Sequence, residues 1–303
     1  MKVLISTSSF GKADSKPLEV CKEKCEVIVN PYGRKLTTEE FIELTAEADA
    51  VIAGVENITR EALVKRPNIK VISRCGVGMD NVDQEACKEL GIKLYNTPNA
   101  PVASVAELTV TVMLDLLKNV SNMNRDLKAG NWNKMTGYML NGKRIGIIGM
   151  GRIGRRVAEL LHVFGVETAY TDIQDMKNGY TYMEKQALLL WADIITIHAS
   201  NCKEGTFLLG AEDIQTMKET SFLVNTSRGR FVDEDALYNA LKTKRIPGAA
   251  LDVYIEEPYQ GRLCELDNVL LTPHISSSAK EGRAVMEMEA VQNLFEGLGI
   301  NHD

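Results

Sequence analysis

Short apolar runs alternate along this chain with segments whose apolar residues recur at helical spacing. The runs Val3 to Ile5, Val27 to Val29, Val51 to Ala53, Val71 to Ser73 and Ile92 to Tyr95 are continuous rather than alternating, as strands buried on both faces require. After Asn141-Gly142-Lys143 a second series follows, at Ile145 to Ile148, Glu167 to Thr171, Ile194 to Ile197, Phe222 to Val224, Ala249 to Val253 and Val269 to Leu271. The pattern predicts an α/β protein of two doubly wound parallel-sheet units. Between them, Asn96 to Pro101 holds two prolines and two asparagines and predicts a hinge, followed by a helix from Val102 to about Leu117. The stretch from Asn119 to Gly142 is polar, with Gly130, Trp132 and Gly137, and reads as a long connection.

The run Gly149-Met150-Gly151-Arg152-Ile153-Gly154 gives that pattern its first chemistry. A GxGxxG run alone is a weak signal, but here a strand precedes it, and Ile153, Val157, Leu160, Leu161 and Phe164 fall on one helical face after it. Gly149 suits the tight turn, Gly151 lets backbone approach a pyrophosphate, and Gly154 lets the helix lie close to the strand. The helix N-terminus then offers unpaired amides to phosphate. Asp172 ends the next strand, 23 residues after Gly149, where a carboxylate meets the adenosine ribose and repels a 2′-phosphate, so NAD is favoured over NADP. The plainer reading of Asp172 is a surface turn residue.

Later strands end in Asn225-Thr226-Ser227-Arg228-Gly229, in Leu251-Asp252-Val253-Tyr254-Ile255-Glu256-Glu257-Pro258, and in Leu271-Thr272-Pro273-His274-Ile275. Strand ends are where such sheets place ligand groups. Reduction of a 2-oxo acid needs a fixed cation for the carboxylate and ketone, a proton donor at the oxygen, and a group that keeps the donor protonated. Arg228, His274 and Glu257 supply those three functions. Taken singly, each has a structural explanation, as a surface cation, a capping side chain and a turn residue before Pro258.

The composition limits the classes open to the chain. Its 303 residues are 45% apolar and 25% charged, as in ordinary globular proteins, and allow two domains. No apolar run is long enough to span a bilayer, and Met1 to Ser6 runs straight into a strand without a leader-like core, so a cytoplasmic protein is expected, with no membrane partner. A net charge of -6 gives no reason to expect nucleic acid. Cys21, Cys25, Cys75, Cys87, Cys202 and Cys264 have no metal-binding spacing and suit a reducing compartment, with Cys21 and Cys25 read as packing residues. No metal is expected.

In Arg74-Cys75-Gly76-Val77-Gly78-Met79-Asp80-Asn81-Val82-Asp83, Asn96-Thr97-Pro98, Ser104-Val105-Ala106-Glu107, the glycine run, the NTSRG segment, the EEP segment and the TPH segment, the sequence resembles the D-2-hydroxyacid dehydrogenases over nearly its whole length. Within that family it is most similar to short phosphoglycerate dehydrogenases. The resemblance implies an NAD-dependent, cytoplasmic oxidoreductase with Rossmann-like and flavodoxin-like domains and a cleft between them for the substrate. Residues 1–97 with 276–303 would form the substrate domain, and 98–275 the NAD domain. A C-terminal helix bearing Val285, Met288, Val291, Leu294 and Phe295 would return to the first domain, and no regulatory domain is expected after it. The catalytic set would be Arg228, Glu257 and His274. Cofactor contacts would come from Gly149, Gly151, Arg152, Ile153, Gly154, Asp172, His198, Thr226 and Asp252, with Asp252 at the nicotinamide amide. Arg74, Cys75, Gly76, Val77 and Gly78 would hold the substrate, a small anionic 2-hydroxy or 2-oxo acid, with the turn's amides cradling the carboxylate. The helix from Val102 to Leu117 would supply much of a homodimer interface, or serve as plain core.

Several positions depart from the family. Asn99 stands where glycine is usual, Pro101 where asparagine is common, Ile275-Ser276-Ser277-Ser278 replaces the usual paired glycines after the histidine, and Arg230 occupies a position commonly glycine. Phosphoglycerate enzymes carry an Arg-Ser pair where this chain reads Gly54-Val55-Glu56-Asn57, and Glu56 pointing inward would repel a phosphate. Phosphoglycerate is the leading substrate expectation, weakened by Glu56, for which Arg74 beside the glycine turn could compensate. Glyoxylate, hydroxypyruvate or a phosphonate is the alternative, and an NADH-sensing regulator with little turnover is a reading from another class. Formate-type chemistry is disfavoured, since those relatives place Gln opposite the histidine.

Overall fold

The first five apolar runs form the strands β1 (Lys2–Ile5), β2 (Glu26–Val29), β3 (Ala50–Ala53), β4 (Val71–Arg74) and β5 (Lys93–Asn96) in the computed structural model, which describes residues 1–200 and 205–301. Cys202 lies outside the described residues. The strands pair in the order β2-β1-β3-β4-β5, each neighbour parallel. Residues on one strand alternate between faces. On β1, Leu4 joins Phe41, Leu63, Ile72 and Cys87 on one side, while Val3 and Ile5 join Cys21, Val71, Val291 and Leu294 on the other. The first side is covered by α2 (Thr38–Leu44), α3 (Arg60–Val64) and α4 (Gln84–Glu89), whose starts are set by the caps Thr37, Thr59 and Asp83. The second is covered by α1 (Lys16–Lys24) and by the C-terminal α11 (Lys280–Leu298). These elements form one unit, Met1–Pro101 with Ser277–Asp303.

The inward face of α11 is Met286, Ala290, Val291, Leu294 and Phe295, whereas Val285, expected on it, is 58% exposed. The polar Glu287 shares the buried face, paired at 2.7 Å with Arg283 and accepting the Gly11 amide at 2.8 Å. An apolar count does not register such a residue.

The second unit, Val102–Ser276, carries α5 (Val102–Lys118), α6 (Val120–Lys128), β6 (Arg144–Ile148), α7 (Arg152–His162), β7 (Glu167–Thr171), β8 (Thr181–Tyr182), α8 (Lys185–Trp191), β9 (Ile194–Ile197), α9 (Ala211–Thr216), β10 (Phe222–Asn225), α10 (Glu234–Lys242), β11 (Gly248–Leu251) and β12 (Val269–Leu271). Its parallel sheet runs β12-β11-β10-β9-β6-β7-β8. From β6 onward this is the Rossmann order, extended by one strand, and the first sheet has the flavodoxin-like order. Both orders reverse at one place, between β6 and β9 here and between β1 and β3 in the first unit, and that place is where such sheets bind ligands.

Two elements fall outside the sequence expectations. β8 is a two-residue strand pairing with Ala169 and Tyr170, and α6 lies in the stretch that reads as a connection. Helix α6 follows Asn119, whose φ of 54° turns the chain between two helices, and none of its residues is buried. By contrast Val105, Ala106, Val112, Met113 and Leu117 of α5 are buried, and most of them share the core of the second unit with Val157, Ala158 and Leu161 of α7.

Candidate active site

The glycine run leaves β6 at the reversal point. Gly149 has φ +96°, and a Cβ there would lie 2.5 Å from the Ala199 amide nitrogen; a Cβ at Gly154 would lie 2.1 Å from the Gly149 carbonyl oxygen. The protein itself therefore demands glycine at both places. At Gly151 a Cβ would meet nothing within 4 Å, so no packing within the unit requires glycine there. Backbone exposed at the start of α7 without a side-chain cap fits a pyrophosphate approaching the open amides. Arg152 is exposed and Ile153 half-buried in that first turn.

Asp172 sits at the end of β7 beside this turn. Its Oδ2 accepts the Met150 amide at 2.7 Å and its Oδ1 accepts the Ile173 amide at 2.7 Å. One lone pair on each oxygen is left for the two hydroxyls of a ribose. His198 follows β9 and is buried, and burial pushes its imidazole down to about 3, so the ring is neutral. Its Nε2 lies 2.9 Å from Thr196 Oγ1, while its Nδ1 is buried with no hydrogen-bond partner among the described residues. Thr226 turns its hydroxyl inward, 2.9 Å from Thr109 Oγ1 on α5. These residues fit a dinucleotide whose ribose carries free hydroxyls.

Three strand ends bring the remaining polar side chains together in the same unit. After β10, the buried Asn225 braces the loop: its Nδ2 donates to the Arg228 carbonyl at 2.8 Å, and its Oδ1 accepts from the amide and hydroxyl of Ser227. A Cβ at Gly229 would lie 1.9 Å from the Tyr254 carbonyl carbon, so this loop touches the turn after β11 backbone to backbone. On that turn, Glu257 Oε1 accepts the Tyr254 amide at 3.1 Å, and Oε2 lies 2.7 Å from His274 Nδ1. Burial pushes the Glu257 carboxyl up, but the hydrogen bond and charge of His274, the Tyr254 amide and the nearby Arg228 guanidinium outweigh it and leave the group below its ordinary value. The Tyr254 hydroxyl donates to the carbonyls of Thr272 at 2.9 Å and Leu251 at 3.1 Å, which ties the glutamate's turn to the histidine's segment.

Asn225 and Tyr254 escape identification from sequence as supporting residues. Their place inside the two strand-end segments is the available signal, but the partners they brace become visible only in three dimensions.

In the first unit, Arg74 to Gly78 close β4. Gly76 has φ +145°, and a Cβ on it would lie 1.3 Å from Arg74 Nη1, so glycine here makes room for the guanidinium to fold over the turn. The Gly76 amide, expected in the anion cradle, donates inward to the buried Thr97 Oγ1 at 2.7 Å. Among the described residues no hydrogen bond engages the amides of Val77 and Gly78. Cys75 is buried, and burial pushes its thiol up to about 12, which makes it a packing residue rather than a nucleophile. At this unit's reversal point Glu56 is 1% exposed. Its carboxylate takes the Gly54 amide at 3.0 and 3.2 Å and contacts the Ser6 hydroxyl, and among the described residues it has no ion-pair partner. No group of metal-ligating residues occurs among the described residues, and no helix there is long and apolar enough to cross a membrane.

Comparison with known proteins accords with this geometry. Residues 110–276 match the family model described as D-isomer specific 2-hydroxyacid dehydrogenase, NAD binding domain. The chain is 33% identical over 293 residues to a hydroxypyruvate reductase of Thermotoga maritima, covering 92% of this chain and 96% of that protein. It is 39% identical over 258 residues to a D-3-phosphoglycerate dehydrogenase of Methanocaldococcus jannaschii, covering 82% of this chain but only 49% of the relative. The crystal structure of the TT0316 protein from Thermus thermophilus superposes with a TM-score of 0.92 at 33% identity, over 99% of this chain and 97% of that one. The chain belongs to the D-isomer-specific 2-hydroxyacid dehydrogenases, oxidoreductases that act on a CH–OH group with NAD.

Proposed function

We propose that this dehydrogenase reduces a small, unphosphorylated 2-oxo acid, with Arg228, Glu257 and His274 carrying the chemistry. The observation that carries the reading is the 2.7 Å contact between His274 Nδ1 and Glu257 Oε2. It leaves Nε2 as the nitrogen from which a proton passes to the ketone oxygen, and it places a carboxylate where it stabilises the protonated ring. Arg228, held by the Asn225 brace, pairs with the substrate carboxylate and polarises the ketone. The amides of Val77 and Gly78, which no hydrogen bond engages among the described residues, are suited to an anion as a backbone nest. Bound NADH supplies the hydride to C2. In the oxidative direction His274 takes the hydroxyl proton, and Glu257 holds the imidazolium.

Glu56 supports the choice of an unphosphorylated substrate. A buried carboxylate with no ion-pair partner among the described residues, at the ligand end of the first sheet, opposes a phosphate dianion brought near it. Steady-state rates with NADH on glyoxylate, hydroxypyruvate and 3-phosphohydroxypyruvate test this. The expected result is a kcat/KM for hydroxypyruvate at least about tenfold above that for its phosphate ester, since about 1.4 kcal/mol of repulsion suffices for that ratio. Preference for the ester would overturn the substrate reading, and NADH binding without turnover on any oxo acid would favour a sensor.

The reading includes a homodimer, supported by exposed apolar side chains close together in sequence. Val120 and Leu127 of α6 and the following Trp132 and Met139 are each at least 55% exposed, more than a solvated surface explains. A reducing cytoplasm suits the five free cysteines among the described residues.

A further inference from the structure

Asp252 follows β11 and is buried. The family resemblance directs it to the nicotinamide amide, yet its carboxylate is bound to the segment that carries His274. Oδ1 accepts the Thr272 hydroxyl at 2.6 Å and the Ile275 amide at 2.8 Å, and Oδ2 accepts the Ser276 amide at 2.8 Å. The three donors flank His274 on both sides. Two of them fill Oδ1, which has two lone pairs.

His274 needs such a restraint. Its φ of +52° lies in the left-handed region, which a residue with a Cβ holds only where its surroundings over-determine it. Its own amide donates to the Thr272 carbonyl at 3.0 Å and closes the turn. Asp252 is itself fixed, because its amide donates to the Asn225 carbonyl at 2.9 Å and so joins the loop that carries Arg228. We infer that Asp252 is a positioning residue for the proton donor: it pins the backbone on either side of His274 in the left-handed turn that sets Nδ1 against Glu257. The inference rests on the proposed role of His274 and Glu257 as the proton pair.

Asparagine at 252 keeps the shape but turns an NH2 toward a backbone N–H, so a donor faces a donor and one restraint becomes a repulsion. The chain has four histidines, which makes its imidazoles tractable by NMR after 15N-histidine labelling. In the unaltered enzyme a downfield N–H resonance is expected for His274 Nδ1, assigned by its loss in His274→Gln. Asp252→Asn is expected to broaden or abolish that resonance and to lower kcat by about tenfold to a hundredfold, a part of the roughly 10²- to 10⁴-fold that an oriented general acid contributes, while NADH Kd from fluorescence stays within about twofold. Thr272→Val removes one donor without touching the carboxylate, and is expected to act in the same direction more weakly; it remains a test if Asp252→Asn fails to fold. A retained resonance in Asp252→Asn together with NADH binding weakened more than about tenfold would overturn the inference and return Asp252 to the cofactor. An unchanged resonance and kcat in Thr272→Val would also contradict it. If His274→Gln itself keeps full turnover, the proposed chemistry fails instead, and the resonance still reports whether Asp252 positions the ring.

Discussion

Gly229 shows how one residue sets the spacing of a site. Any Cβ there would fall 1.9 Å from the carbonyl carbon of Tyr254 and 2.2 Å from its oxygen, so the loop of Arg228 and the turn of Glu257 approach as closely as two backbones can. Gly229→Ala must therefore drive the two apart. A displacement of about 1 Å costs about a hundredfold in rate when it misplaces reacting groups, so kcat is expected to fall by about that factor. NADH affinity should change little, because the glycine run of the dinucleotide turn lies elsewhere in the sheet. A Gly229→Ala enzyme with undiminished kcat would show that catalysis does not depend on this close approach. No sequence pattern supplies this reason for a glycine at 229. The proposed trio Arg228, Glu257 and His274 can be picked out in the sequence because the residue types match a reaction and each follows a recognisable strand. The contacts that hold them, from Asn225, Tyr254 and Asp252, join segments far apart in sequence and leave no periodic trace.

At the scale of elements, legibility follows burial. Strands buried on both faces read as unbroken apolar runs, and β1, β3, β4, β6, β9 and β10 fall where those runs lie. Helix α6 escapes a sequence reading because it buries nothing: Val120, Met123 and Leu127 make only a narrow stripe among polar residues. The two-residue β8 is too short to show any period. On α11 the apolar pattern finds the inward Val291, Leu294 and Phe295 but misses at the helix start, where Val285 looks outward and the buried, paired Glu287 occupies an inward position. A charged side chain on a buried face becomes legible only when its partners, here Arg283 and the Gly11 amide, are known.

For the whole molecule, the assignment of α5 to a dimer interface on apolar content alone is weakened by its packing, since much of its apolar face is used within its own unit. Exposed apolar side chains on α6 and the segment after it, Val120, Leu127, Trp132 and Met139, are the proposed alternative. Light scattering at micromolar concentration is expected to give about twice the 33.5 kDa of one chain, and Trp132→Lys with Leu127→Glu to give a monomer. A monomeric unaltered protein would contradict the dimer and leave the chemistry standing. That chemistry is tested most directly by His274→Ala, with NADH oxidation on glyoxylate and hydroxypyruvate measured beside NADH binding. Turnover is expected to fall by about 10²- to 10⁴-fold, the range of a general acid, with NADH affinity preserved. Turnover within a few-fold of the unaltered enzyme, at saturating oxo acid, would contradict it.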